Sequence, residues 1–209
     1  MITIQDFVQE LSKKESTSDC SNPYESKNAC RNLSRYLQYF LSKKAKILLI
    51  GEAPGYRGCG ITGIPFTNPH TIQKSEAQFF QDCRHELLVQ NQTSEASARA
   101  VWEILEEYNS HVLLWNVFPF HPHKPNDPSS NRKPSQMEID IGKKLLQKIL
   151  DLFEPTVIIA VGRVSQNLLN KIQLSQKIQY VRHPSYGGKN EFREGMRKIL
   201  NNTLSAEDI

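Results

Sequence analysis
Apolar residues in this chain come in two arrangements. Uninterrupted blocks occur at Ile47-Leu48-Leu49-Ile50, Val112-Leu113-Leu114-Trp115 and Val157-Ile158-Ile159-Ala160-Val161. Runs without alternation suit strands covered on both faces, so strands are predicted over 46–50, 111–117 and 156–162, with a fourth at 178–181. Elsewhere apolar residues recur every three or four positions, the helical period. Ile4, Phe7, Val8 and Leu11 mark a helix within 2–12, and Ala29, Leu33, Tyr36, Leu37, Phe40 and Leu41 mark a second. Val101, Ile104, Leu105 and Tyr108 give one face of a helix over 96–108, Ile139 to Phe153 another, Val164, Leu168 and Leu169 a third, and a last spans 191–200. Ser75 with Gln78, and Ser135 with Glu138, resemble capping boxes, the first opening a helix to about residue 89.

Strands separated by helices predict an α/β fold: a three-layer α/β/α arrangement around a central, mainly parallel, four-stranded sheet. At 209 residues the chain reads as one domain, 1–209, with 1–45 a helical segment packed on the body. Residues 13–27 are polar and read as a loop. Residues 56–69 hold three glycines and two prolines, which implies a shaped loop. Residues 124–135 form a surface loop long enough to suggest a function.

Composition narrows the classes. The charge balance, 26 Lys and Arg against 22 Asp and Glu, permits a nucleic acid partner without demanding one. No apolar run approaches the ~20 residues of a membrane span, and no basic-then-apolar leader opens the sequence, so a cytoplasmic location without membrane attachment is the expectation. Cys20, Cys30, Cys59 and Cys83 contain no C-x-x-C pair and read as free thiols, although separation along the chain does not itself forbid a shared metal. His121 and His123 lie two apart among prolines with no evident third ligand; no metal or other cofactor is expected.

Chemistry collects at the strand ends. The first strand breaks into Gly51-Glu52-Ala53-Pro54-Gly55, the second ends at Asn116, and the fourth runs into His183-Pro184-Ser185. Parallel strands deliver such loops to one edge, where α/β folds bind ligands. Singly, Glu52 is also a possible helix cap, Asn116 a satisfied buried amide and His183 a turn histidine. Together they put a carboxylate, an amide and an imidazole in one cleft.

Gly51-Glu52-Ala53-Pro54-Gly55 resembles the first motif of the uracil-DNA glycosylase superfamily, in the form of its iron–sulfur-containing thermophile-type branch. Ile64-Pro65-Phe66 resembles that branch's Pro-Phe segment, Asn116 its strand-end asparagine and His183-Pro184-Ser185 its second motif. The order matches too, and with Ala160-Val161-Gly162 the resemblance spans about residues 46–200. It implies hydrolysis of the N-glycosidic bond of uracil or another deaminated base in DNA, after base flipping; a monomer is the default for an enzyme that must clasp a duplex. Glu52 and His183 would be catalytic, the first holding water and the second donating to the base oxygen. Phe66, Asn116 and Ala53 would contact the base. Gly51, Pro54, Gly55, Pro184 and Ser185 would meet phosphate. Apart from the resemblance, Tyr186 and Lys189 in the loop that follows read either as an aromatic wedge and a cation for DNA or as parts of a solvated basic loop. Ala53 stands where the best-known branch has its water-activating aspartate, and Gly55 where it has the aromatic that excludes the thymine methyl. The close N-terminal cysteine pair of the iron–sulfur branch is absent, so no cluster is expected. Two alternatives stay open: a member that binds damaged DNA or nucleotides without catalysis, and an unrelated hydrolase using Ser185 or Cys59 with His183. The lack of a G-x-S-x-G elbow argues against the latter.

Overall fold
The computed structural model describes residues 2–89, 93–108, 111–172, 174, 176 and 178–207, the side chains of 204–207 excepted. In chain order its elements are α1 (Ile4–Ser12), β1 (Cys20–Ser21), α2 (Lys27–Ser42), β2 (Ile47–Gly51), α3 (Cys59–Thr62), α4 (Pro69–Lys74), α5 (Gln78–Cys83) and α6 (Ala96–Tyr108). Then follow β3 (Val112–Asn116), β4 (His121–Pro122), α7 (Gln136–Phe153), β5 (Val157–Val161), α8 (Gly162–Asn170), β6 (Ile178–Val181) and α9 (Lys189–Glu207).

The four predicted strands form one sheet in the order β3-β2-β5-β6, every pair parallel, flanked by helices. Every residue of β2 and β3 is buried, as their unbroken apolar runs require. The chain steps from β2 outward to β3, then crosses back to β5 on the other side of β2. This reversal opens a crevice beyond the carboxyl ends of β2 and β5, the place where such sheets take ligands. Register fixes what stands there: Gly51 is level with Asn116, and Val161 with Val181.

β3 is an edge strand, and at Leu114 its backbone groups are satisfied by a side chain. The Leu114 N–H donates to the Tyr36 hydroxyl at 2.6 Å, and that hydroxyl donates to the Leu114 carbonyl at 3.2 Å. Pairing an edge in this way removes a template for aggregation. At the other edge α9 packs along β6. α1 opens with a Thr3–Asp6 capping box and places Phe7 against Trp115, ring centroids 5.6 Å apart. One apolar cluster runs from Ile4 to Leu200, and among the described residues no helix is long and apolar enough to cross a membrane.

Three local expectations change. The Ser75–Gln78 capping box does not form: Asn68 caps α4, Ser75 closes it, and α5 begins after an uncapped Ala77. The Ser75 hydroxyl donates instead to Glu106 Oε1 at 2.6 Å, a partner 31 residues away that no local pattern reveals. Within 13–27, β1 pairs antiparallel with β4, a two-residue ladder too short to leave a period. Within 56–69, the shaped loop contains the single turn α3. The Ser135–Glu138 capping box is present in both halves.

Candidate active site
The turn after β2 is held by the segment leaving β3. The Val117 N–H donates to the Gly51 carbonyl at 2.9 Å, the Phe118 N–H to that of Glu52 at 3.1 Å, and His121 Nδ1 to that of Pro54 at 2.9 Å. A turn tied at three carbonyls is rigid, and it forms one wall of a cavity of about 680 Å³. Gly51 has to be glycine. A Cβ there would stand 2.5 Å from Phe66 Cζ and 2.6 Å from Asn116 Oδ1, so the aromatic ring and the carboxamide press on this position together.

Asn116 is 4% exposed, lines the cavity, and its carboxamide has no hydrogen bond to the protein among the described residues. Buried amides are normally paired; one left open toward a cavity is available to a ligand with a complementary edge. Glu52 is a second open group. Among the described residues its buried Oε1 has no hydrogen-bond partner, and burial raises its pKa above the ordinary carboxylate value while the Lys133 charge opposes the rise.

His183 is oriented by the residue two further on. The Ser185 N–H donates to its Nδ1 at 3.1 Å and the Ser185 hydroxyl lies 2.6 Å from the same atom. An Nδ1 that accepts from a backbone N–H carries no proton, so the neutral ring holds its proton on Nε2. Burial, then the Arg182 charge, lowers the His183 pKa and favours that neutral form. Gly162, with φ +82°, lets the end of β5 pass close by: a Cβ there would stand 3.1 Å from His183 Cβ. α8 starts here without a side-chain cap, leaving first-turn N–H groups at the cavity rim. Arg163 lines the same rim, stacked 4.4 Å from the Tyr180 ring centroid.

A family model described as the uracil DNA glycosylase superfamily matches residues 38–205. The chain belongs to the uracil DNA glycosylase superfamily. The crystal structure of wild-type SMUG2 from Pedobacter heparinus shares the fold, with a TM-score of 0.71 at 18% identity over 100% of each chain. No curated protein matches the sequence.

In this superfamily member the cavity gathers Gly51, Glu52, Ala53, Pro54, Gly55, Phe66, Asn116, His183, Ser185 and Tyr186. Tyr186 is 96% exposed at the rim and, like Gly187 after it, has positive φ. Pro184 is buried and Lys189 does not line the cavity; the Lys189 ammonium sits 2.8 Å from Glu103, which also binds Arg193. Arg132, in the 124–135 loop, spends its donors inside the protein. It grips both Glu138 oxygens, Asp19, and the carbonyls of His123 and Lys133. This clamp carries Asn131 and Lys133 at the cavity rim.

His121 and His123 both have hydrogen-bond partners within the protein, His123 at Ser21 and the Lys124 carbonyl, His121 at the Pro54 carbonyl. Among the described residues no three His, Cys, Asp or Glu side chains form a metal-holding group. Cys59 lines the cavity, but burial pushes its thiol well above the usual range, away from the thiolate a nucleophile needs. The contact of Ser185 with His183 closes a local turn rather than building a triad, since no carboxylate among the described residues holds the other ring nitrogen. Glu95 and Ser97, 2.7 Å apart, also face the cavity; nothing in the sequence announced them. Arg163 was signalled only indirectly, by the Ala160-Val161-Gly162 strand end.

Proposed function
We propose that this protein is a DNA glycosylase that hydrolyses the N-glycosidic bond of uracil, or a related deaminated base, once the nucleotide has swung out of the duplex. The observation that carries the reading is Asn116: a buried carboxamide, without a hydrogen bond to the protein among the described residues, in the cavity beside the Phe66 ring. A uracil edge presents one N–H beside one C=O, and a carboxamide answers both. Phe66 offers an apolar face on which the base stacks.

The chemistry follows from the two groups flanking that edge. As the C1′–N bond breaks, its electron pair moves into the base and negative charge grows on a carbonyl oxygen. The His183 Nε2–H supplies a donor for that oxygen; one such donor is worth ~3 kcal/mol. Glu52, which lines the cavity, holds a water with its carboxylate; that water adds to C1′ and passes its proton to the carboxylate. Backbone N–H groups of the Gly51–Gly55 turn, with the rim arginines, are suited to the flanking phosphates, while the Ser185 N–H stays on His183. Tyr186 is placed to fill the gap left in the stack. The abasic product is the starting point of base excision repair.

Ala53 favours a second reading. With no carboxylate there, the chain lacks the base of the best-known branch, and a protein that binds the extruded nucleotide without cleaving it would keep Asn116 and Phe66. A single-turnover panel separates the two, using oligonucleotides with uracil, hypoxanthine or xanthine, single- and double-stranded. Release of free uracil supports hydrolysis. No release from any substrate, with tight binding unaffected by Glu52→Ala and His183→Ala, would establish the second reading instead.

A further inference from the structure
Phe66 occupies a backbone region that bulky side chains avoid. Its φ is +51°, where the Cβ crowds its own backbone. Such a conformation persists only when the surroundings over-determine it, and it tends to be found at functional positions. The restraint here is visible. The indole N–H of Trp102, in α6, is shared between the Phe66 carbonyl at 3.0 Å and the Thr67 hydroxyl oxygen at 3.0 Å. That hydroxyl donates to the Pro65 carbonyl at 3.0 Å, and the Thr62 hydroxyl donates to the Thr67 carbonyl at 2.8 Å. Trp102 is itself fixed, 2% exposed, with ring centroids 4.5 Å from Phe80 and 6.1 Å from Phe79.

We propose that Trp102 is a positioning residue: by holding the Phe66 carbonyl it keeps the Phe66 ring against Gly51 and beside Asn116, in place to receive the base. The inference rests on the glycosylase reading of the cavity but concerns a residue outside it, since Trp102 does not line the cavity. Removing the donor leaves a half-buried carbonyl unpaired and frees residue 66 to return to ordinary backbone angles. The ring then leaves the floor on which a base would stack.

The test removes the N–H and keeps the shape. The chain has two tryptophans, and the other, Trp115, has a buried Nε1 with no hydrogen-bond partner among the described residues. Replacing both with 3-benzothienylalanine therefore deletes one hydrogen-bond donor system, that of Trp102, while the aromatic packing stays. Trp102→Phe is the genetic counterpart. Uracil release under single-turnover conditions is expected to fall about 10- to 100-fold in the benzothienylalanine protein, with little change in melting temperature. In a Phe66→Ala background the same replacement is expected to have no further effect, which a general loss of structure would not reproduce. A crystal structure of the replaced protein is expected to show Phe66 outside the positive-φ region and its ring off Gly51. Unchanged release, additive loss with Phe66→Ala, or Phe66 unmoved would each overturn the proposal. If the unmodified protein releases no base, the glycosylase reading falls by itself, and the position of Phe66 alone decides whether Trp102 holds it.

Discussion
Glu52 and His183 are shifted in opposite senses, and each shift has a measurable consequence. Burial raises the Glu52 pKa above its ordinary 4.5 and the Lys133 ammonium opposes the rise. A general base acts only when ionised, so the release rate should fall on the acid side at a pH above 4.5. Lys133→Ala should move that limb to higher pH; a limb that moves down in the pH–rate profile would contradict the assignment. Glu52→Gln should lower the rate by about 10²- to 10⁴-fold. The same raised pKa means that the fold favours protonated Glu52, so stability from this group is present at low pH and lost as pH rises through the folded pKa. Glu52→Gln should therefore melt a few degrees higher than the native protein at pH 7, a gain that disappears near pH 4. For His183 the sign reverses. Its folded pKa lies below the ordinary 6.5, so the neutral ring contributes stability above pH ~6.5 that is lost on acidification. His183→Ala should cost about 10²- to 10³-fold in release and flatten the decline of melting temperature below pH ~6.5. Both residues were legible in the sequence because strand-end loops of a parallel sheet must meet. Lys133 was only half legible: its loop was recognised, but its bearing on Glu52 depends on the Arg132 clamp, which joins residues 19, 123, 133 and 138.

At the level of elements, the cavity depends on register. Gly51 pairs with Asn116 across β2 and β3, and the space a Cβ would need is filled by Phe66 and the Asn116 carboxamide. Gly51→Ala should destabilise the protein by about 1–3 kcal/mol through overpacking and lose uracil release more than stability explains, because both displaced groups line the cavity. Denaturant melts alongside single-turnover assays separate these effects; full activity would show that the floor can open without cost. The apolar runs identified β2, β3 and β5 because nothing but a doubly covered strand tolerates them. They could not identify β1 or β4, whose two residues leave no pattern, nor foresee that Ser75 answers to Glu106 rather than to its own helix. Asn68-Pro69 did carry a readable start signal for α4, an N-cap asparagine followed by proline at the first helical position.

For the whole molecule the distribution of charge matters more than its sum. A net charge of +4 is small, yet Lys133, Arg163 and Arg182 all lie on the cavity rim, whereas Lys189, Arg193 and Arg197 are committed to Glu103 and Glu107 between α6 and α9. Surface ion pairs contribute little to stability, but a cation already facing a carboxylate releases fewer counterions when it meets a phosphate. Affinity for duplex DNA should therefore fall with salt at a slope set by the rim cations, about 0.9 log units per log unit of salt for each phosphate neutralised. Arg182→Ala, measured by fluorescence anisotropy on a non-cleavable duplex across a salt series, should lower that slope by about one phosphate. Lys189→Ala should leave it unchanged. Were Lys189→Ala to reduce the slope as much as Arg182→Ala, Glu103 would have to release its partner on binding, and the DNA path would extend beyond the rim onto the start of α9.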